Sequence, residues 1–200
     1  MVGGDVPRLI SNADSNPEGG RRSMAHLAVP VIRLERVQLE PLSISHSQGM
    51  FELWSQPRVC EHAGPASDSF GRAIRLPTES ESDSDRLLHF WLDRARAGTG
   101  FRWAVVLSGT RDFIGAVGFN SLGECAEYAY HFIPHWWGRG LGAEASRGAL
   151  DWSSSHGSSS VEVFISPNNG KSIQLAGRLG FQPTGGLVDD SQRFLLTQIR

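Results

Sequence analysis

The residues whose types and spacing best suit chemistry are Trp136-Trp137-Gly138-Arg139-Gly140-Leu141-Gly142-Ala143-Glu144-Ala145. Three glycines alternate with other residues and run straight into an apolar helical pattern. Without a Cβ, glycine lets backbone N–H groups come close to a ligand. The first turn of a helix adds unpaired N–H groups and the positive end of its dipole. The two together cradle an anion, most often phosphate. The spacing departs from the P-loop, which ends Gly-Lys-Ser/Thr where this chain has Gly142-Ala143. It also departs from the dinucleotide fingerprint, whose third glycine would fall on Ala143. On spacing alone the rival reading is a glycine-softened loop before an ordinary helix.

That loop needs elements to hold it. Val31–Leu39 alternates well enough for a strand, stopped by Pro41. Ser45 is placed to cap a helix carrying Met50, Phe51, Leu53 and Trp54, which ends before Pro57. Residues 58–78 read as a loop with short helical pieces. Thr78 or Ser80 caps the next helix, whose apolar stripe is Leu87, Leu88, Trp91, Leu92 and Ala95. Gly98 and Gly100 stop it. Strands are expected at Phe101–Leu107, Phe113–Asn120 and Ala126–Ile133, the last ended by Pro134 just before the glycine loop. A helix from Leu141 to about Ser154 follows, then a buried strand at Val161–Ile165. Asn168-Asn169-Gly170 opens a helix that Gly180 closes, and Arg193–Ile199 is a last strand. The order defines one α+β domain over residues 29–200, preceded by a disordered leader, residues 1–28, rich in Gly, Ser, Asn, Pro and Arg.

Composition narrows the field. With 200 residues, 40% hydrophobic and 20% charged, the chain is an ordinary globular domain with room for a sizeable core. A net charge of −2 points to neither nucleic acid nor an anionic membrane. Cys60 and Cys125 have no metal-ligand spacing and form no disulfide framework, so a reduced cytoplasmic setting and no metal are the simplest expectations. No apolar run approaches membrane-spanning length.

Three pieces in order now resemble the GNAT superfamily of N-acetyltransferases, in particular its ribosomal-protein-alanine acetyltransferase-like (RimJ/RimL-type) branch. They are Glu127-Tyr128-Ala129-Tyr130 leading to Pro134, the stretch Trp137–Ala145, and Asn169-Gly170-Lys171-Ser172 followed by Arg178-Leu179-Gly180-Phe181. The resemblance covers roughly residues 31–198. It implies a mixed, mostly antiparallel twisted sheet flanked by helices, with a splay between the family's fourth and fifth strands. It implies acetyl-CoA as co-substrate and a primary amine, of a small molecule or a peptide, as acceptor, with a homodimer as a possible assembly. The implied donor site is Gly138, Arg139, Gly140, Leu141, Gly142 and Ala143 around the pyrophosphate. Backbone groups of Phe132 and Ile133 would pair with the pantetheine, Asn169 would approach it, and Ser172 would lie near the thiol.

The implied reaction is direct attack of a neutral amine on the thioester, which needs a base for the amine proton. Glu127 is the first candidate, on the same strand face as His131 by period two, where burial would raise its pKa. Its rival role is substrate orientation. His131 and His135 are alternative bases, or packed residues beside tryptophans. Ser172 either donates to the thiolate or satisfies backbone, and Arg139 either meets phosphate or is solvated. The resemblance implies a tyrosine acid near this helix in many members; residues 161–181 hold none, a departure from that pattern that leaves Ser172 or water for the role. The competing functional class is a non-catalytic acyl-CoA-binding module that keeps the glycine loop and Asn169 with a decayed acceptor site.

Overall fold

The computed structural model describes residues 2–3 and 28–197. Its strands are β1 (Val2–Gly3), β2 (Ile32–Arg33), β3 (Val37–Pro41), β4 (Ala66–Ser67), β5 (Ala73–Ile74), β6 (Phe101–Leu107), β7 (Phe113–Ser121), β8 (Cys125–Phe132), β9 (Ser160–Ile165), β10 (Gln182–Val188) and β11 (Ser191–Thr197). Its α-helices are α1 (Ser47–Trp54), α2 (Pro57–Cys60), α3 (Glu81–Arg96), α4 (Leu141–Ser155) and α5 (Gly170–Arg178). The main sheet runs β10-β11-β9-β8-β7-β6-β3-β2, and β4-β5 is a separate hairpin. The leader expected over residues 1–28 lies outside the described residues except at its two ends.

Among the described residues only β8 and β9 pair in parallel, from Cys125↔Ser160 to Glu127↔Glu162. Beyond that the two strands part, β8 running on to Phe132 and β9 to Ile165. This is the expected splay, between the eighth and ninth strands in chain order. Val2–Gly3 lies along the freed part of β8, with Val2 opposite His131 and Gly3 opposite Tyr130.

Strand alternation sorts β8 between two cores. Ala126, Tyr128, Tyr130 and Phe132 join the core under α4 and α5. Ile133 and the His131 ring, 4.6 Å from that of Trp54, meet the core under α1 and α3. In the first core Trp103 and Trp152 meet edge-on at 5.3 Å, as do Phe101 and Trp103 at 4.6 Å. Each such pair contributes about 0.5–1.5 kcal/mol beyond its burial.

Several expectations need correction. The run 31–39 is not one strand: a turn at Leu34–Arg36 folds it into the β2–β3 hairpin, with Ile32 opposite Leu39. The loop 58–78 contains α2 and the β4–β5 hairpin. Strand β10 was not expected, because all seven residues of its Gln182-Pro183-Thr184-Gly185-Gly186-Leu187-Val188 are exposed and leave no alternating pattern. Its ladder with β11, bulged between Pro183 and Leu187, holds it in place. The last strand accordingly starts at Ser191. Ser80, not Thr78, caps α3, accepting from the Asp83 amide at 3.2 Å, worth about 1 kcal/mol.

Candidate active site

The glycine loop folds as its residue types require. Gly138 and Gly140 have φ of +77° and +79°, the left-handed region that L side chains avoid. Gly140 is the residue preceding α4, and no side chain caps that helix. Gly142 is glycine for another reason: a Cβ there would meet the Phe132 ring at 3.1 Å. The first turn of α4 therefore rests directly on the end of β8. Its leading N–H groups have no intrahelical acceptor by helix geometry, the first intrahelical bond being Glu144 N–H to the Gly140 carbonyl at 3.1 Å.

A cavity of about 260 Å³ lies against this loop, lined by Phe132, Trp136, Trp137, Gly138, Gly140, Gly142 and Ala143 on one side. Lys171, Gln174, Leu175 and Arg178 of α5 form the other side. A second cavity of the same volume adjoins it, sharing Trp137 and Lys171 and adding Arg58, Glu61, His62 and Asn169. Trp137 stands between them with Arg58 4.8 Å and Lys171 5.0 Å from its ring centre. Its indole N–H donates to the Phe132 carbonyl at 2.6 Å.

Other candidates take different positions. Arg139 turns away, its guanidinium 4.9 Å from the Trp136 ring and 3.4 Å from His135 Nε2, and does not line the cavity beside the glycine loop. Leu141 is a core residue. The Ile133 amide donates to the Ile114 carbonyl on β7 at 2.9 Å, so it faces away from the splay. Asn169 Oδ1 caps α5 by accepting from the Ser172 amide at 3.2 Å. Ser172 is buried, and its carbonyl accepts from the Tyr130 hydroxyl at 3.2 Å. A tyrosine hydroxyl thus reaches the first turn of α5 from β8, although α5 itself has none. Burial drives that phenol's pKa well above its ordinary value, with the bond to Ser172 opposing. His135 lies on a separate cleft with Glu40, His46, Glu52 and Arg111.

Glu127 occupies the last β8–β9 pair, at the apex of the splay. One carboxylate oxygen accepts from Asn120 Nδ2 at 2.5 Å. Arg102, buried on β6, donates to Asn120 Oδ1 and lies 3.5 Å from the Trp91 ring centre. Burial lowers the Arg102 pKa, and Coulombic attraction to Glu127 opposes that shift. Arg94 on α3 donates to the Asn120 carbonyl at 2.6 Å and is likewise drawn by Glu127. The groups around Glu127 include Asn120 and the cations Arg94 and Arg102, which the expectation of burial alone did not foresee. Four residues along the strand put it about 13 Å from His131.

Sequence reasoning missed Arg36, which holds the loop from 108 residues away. Its backbone N–H and its Nε donate to the two Glu144 carboxylate oxygens, each at 2.7 Å, and its Nη1 donates to the Arg139 carbonyl at 3.0 Å. The clamp neutralises a carboxylate in the first turn of α4, beside the place suited to an anion. It also missed Lys171, Gln174 and Arg178 as site residues. Their i, i+3, i+7 spacing was the available signal. Cys60, Glu61 and His62 had read only as loop. Burial pushes the Cys60 thiol up to about 11, and its Sγ sits 3.3 Å from the Trp54 carbonyl. No group of three or more His, Cys, Asp or Glu side chains among the described residues is arranged to hold a metal ion. No helix among them is long and apolar enough to cross a membrane.

Residues 36–182 match the model of the acetyltransferase (GNAT) domain, and the chain belongs to this family of acetyltransferases. It is 25% identical over 159 residues to the N-acetyltransferase p20 of Bacillus licheniformis, covering 78% of this chain and 84% of that protein. Among solved structures it resembles an acetyltransferase of Agrobacterium tumefaciens at TM-score 0.65 and 23% identity, over 88% of this chain and 99% of that one. It also resembles RimL, a ribosomal-protein alpha-N-acetyltransferase in complex with coenzyme A, at TM-score 0.69 and 12% identity, over 84% and 98%.

Proposed function

We propose that this chain moves an acetyl group from acetyl-CoA to a primary amine of a small molecule or a peptide N-terminus, as a member of the RimJ/RimL-type branch. The observation that carries the reading is the uncapped N-terminus of α4 behind Gly138 and Gly140, beside a cavity that Phe132 at the freed end of β8 also lines. Uncapped helix amides suit a pyrophosphate. RimL, with the same fold, binds coenzyme A. The pairing of Val2–Gly3 with β8 supports the idea that this edge accepts an extended ligand through backbone bonds.

The amine enters from the second cavity, where Glu61 and His62 offer it polar partners and the cations Arg58 and Lys171 on the same lining favour its neutral form. The neutral amine attacks the thioester carbon, the C–N bond forms, the C–S bond breaks, and coenzyme A leaves as thiolate. Glu127 takes the amine proton through water, since it stands at the apex of the splay rather than along its open part. Ser172, at the first turn of α5, is placed on the thiol side.

The test begins with melting temperature against acetyl-CoA and coenzyme A, since a ligand that binds the native state raises it. Thiol release against a panel of amines, short peptides included, then follows. Glu127→Gln is expected to abolish most turnover with little change in acetyl-CoA affinity. Unchanged turnover sinks the Glu127 assignment. No stabilisation at saturating donor sinks the donor reading, and stabilisation without turnover on any amine favours an acyl-CoA-binding module.

A further inference from the structure

Lys171, Gln174 and Arg178 line the donor cavity along one stripe of α5, opposite the glycine loop. From first to last the stripe is about 10 Å long. Its two cations occupy different ends. Lys171 lies over Trp137, where the donor cavity meets its neighbour and where the first turn of α5 approaches Tyr130. Arg178 is in the last turn of the helix and exposed. Among the described residues neither has a carboxylate within ion-pair distance; the same holds for Arg33, Arg58, Arg139 and Arg147, but none of those four lines this cavity. Two uncompensated cations therefore face a cavity whose opposite wall already suits a phosphate.

Coenzyme A carries more phosphate than one cradle can hold: a pyrophosphate and, separately, a 3′-phosphate on its ribose. The α4 amides and the inner Lys171 serve the pyrophosphate. An outer guanidinium remains, and its planar fork suits a terminal phosphate monoester. We infer that Arg178 binds the ribose 3′-phosphate of the donor, so that this chain selects coenzyme A over its 3′-dephospho form. The inference rests on the donor reading proposed above.

Isothermal titration of the full chain with coenzyme A and with dephospho-coenzyme A tests it, on the wild type, Arg178→Ala and Lys171→Ala. The wild type is expected to prefer coenzyme A about tenfold, which corresponds to about 1.4 kcal/mol. Arg178→Ala is expected to bind both nucleotides equally, at the wild-type affinity for dephospho-coenzyme A. Lys171→Ala is expected to weaken both by the same factor and keep the preference. Arg178 is exposed, so its truncation empties no core, and an unchanged melting temperature confirms folding. A preference retained in Arg178→Ala, an equal loss for both nucleotides in that variant, or a wild type that binds both alike overturns the 3′-phosphate assignment alone. A wild type that binds neither overturns the donor reading, and this assignment with it.

Discussion

Helices α4 and α5 wall the same cavity, yet they present it with opposite chemistry. The N-terminus of α4 follows Gly140 and has no side-chain cap. That of α5 is closed by Asn169, whose oxygen accepts from the Ser172 amide. An uncapped first turn offers backbone donors and a positive dipole end to a ligand, and a capped one has already used a donor internally. The acidic residue in the first turn of α4, Glu144, is neutralised by Arg36 rather than left to repel an anion. Helix α5 offers side chains instead, Lys171 and Arg178 from its flank. In the donor site proposed above, one helix serves the ligand through its end and the other through its side.

The strongest way to break this contrast is to put charge into the open end. Gly140→Asp places a carboxylate at the cradle in a left-handed conformation that aspartate tolerates better than most residues. Its Cβ would meet nothing closer than Arg36 Nη2 at 3.4 Å, so the fold is expected to survive. Coenzyme A affinity by titration calorimetry should fall about a hundredfold, or about 2.7 kcal/mol. A loss below threefold would show that the α4 end is not the anion site.

Removing the neutralising partner is expected to act less strongly. Arg36→Ala leaves Glu144 uncompensated beside the cradle and frees the Arg139 carbonyl. The acetyl-CoA KM should rise about tenfold, or about 1.4 kcal/mol, with kcat little changed. Arg36→Ala combined with Glu144→Gln should recover part of the loss, because the two residues act as a unit. Simple additivity would argue that Arg36 acts on the ligand directly.

The closed end gives a smaller, structural effect. Asn169→Ala removes the α5 cap, at a cost of about 1 kcal/mol, and should lower the melting temperature by about 2–4 °C for a chain of this size. An unchanged melting temperature would mean that the cap contributes nothing to stability.

The smallest effect lies away from both helices. Burial would raise the Asp68 carboxyl, but hydrogen bonds from the Arg72 and Phe70 amides and from the Arg72 and Arg86 guanidiniums hold it at about 2. Its unfolded value is about 3.9. Because the folded value is the lower one, its stabilising contribution is complete above about pH 4 and is lost as pH falls toward 2. Asp68→Asn should flatten the dependence of melting temperature on pH in that window and leave coenzyme A affinity unchanged. Equal slopes in the two proteins would show that this network does not set acid stability.

What the amino-acid sequence determined by itself was everything that local chemistry dictates. Gly138 and Gly140 mark the loop because its backbone is left-handed there, and Gly142 because a Cβ would crowd the Phe132 ring. The apolar periods of 81–96 and 141–155 place their helices, and three motifs in order locate the family. The Pro- and Gly-bearing edge strand Gln182–Val188 escaped notice because exposed residues leave no pattern of burial. The turn at Leu34–Arg36 was hidden inside an alternation that reads as one strand. Only the tertiary structure decided which side chains reach the loop. Arg36 arrives from 108 positions away, Arg139 turns onto Trp136, and Glu127 meets Asn120 with Arg94 and Arg102 close by. Spacing along a chain specifies backbone conformation within a few residues. Partners across a sheet depend on register and side-chain direction, which exist only once the sheet has closed.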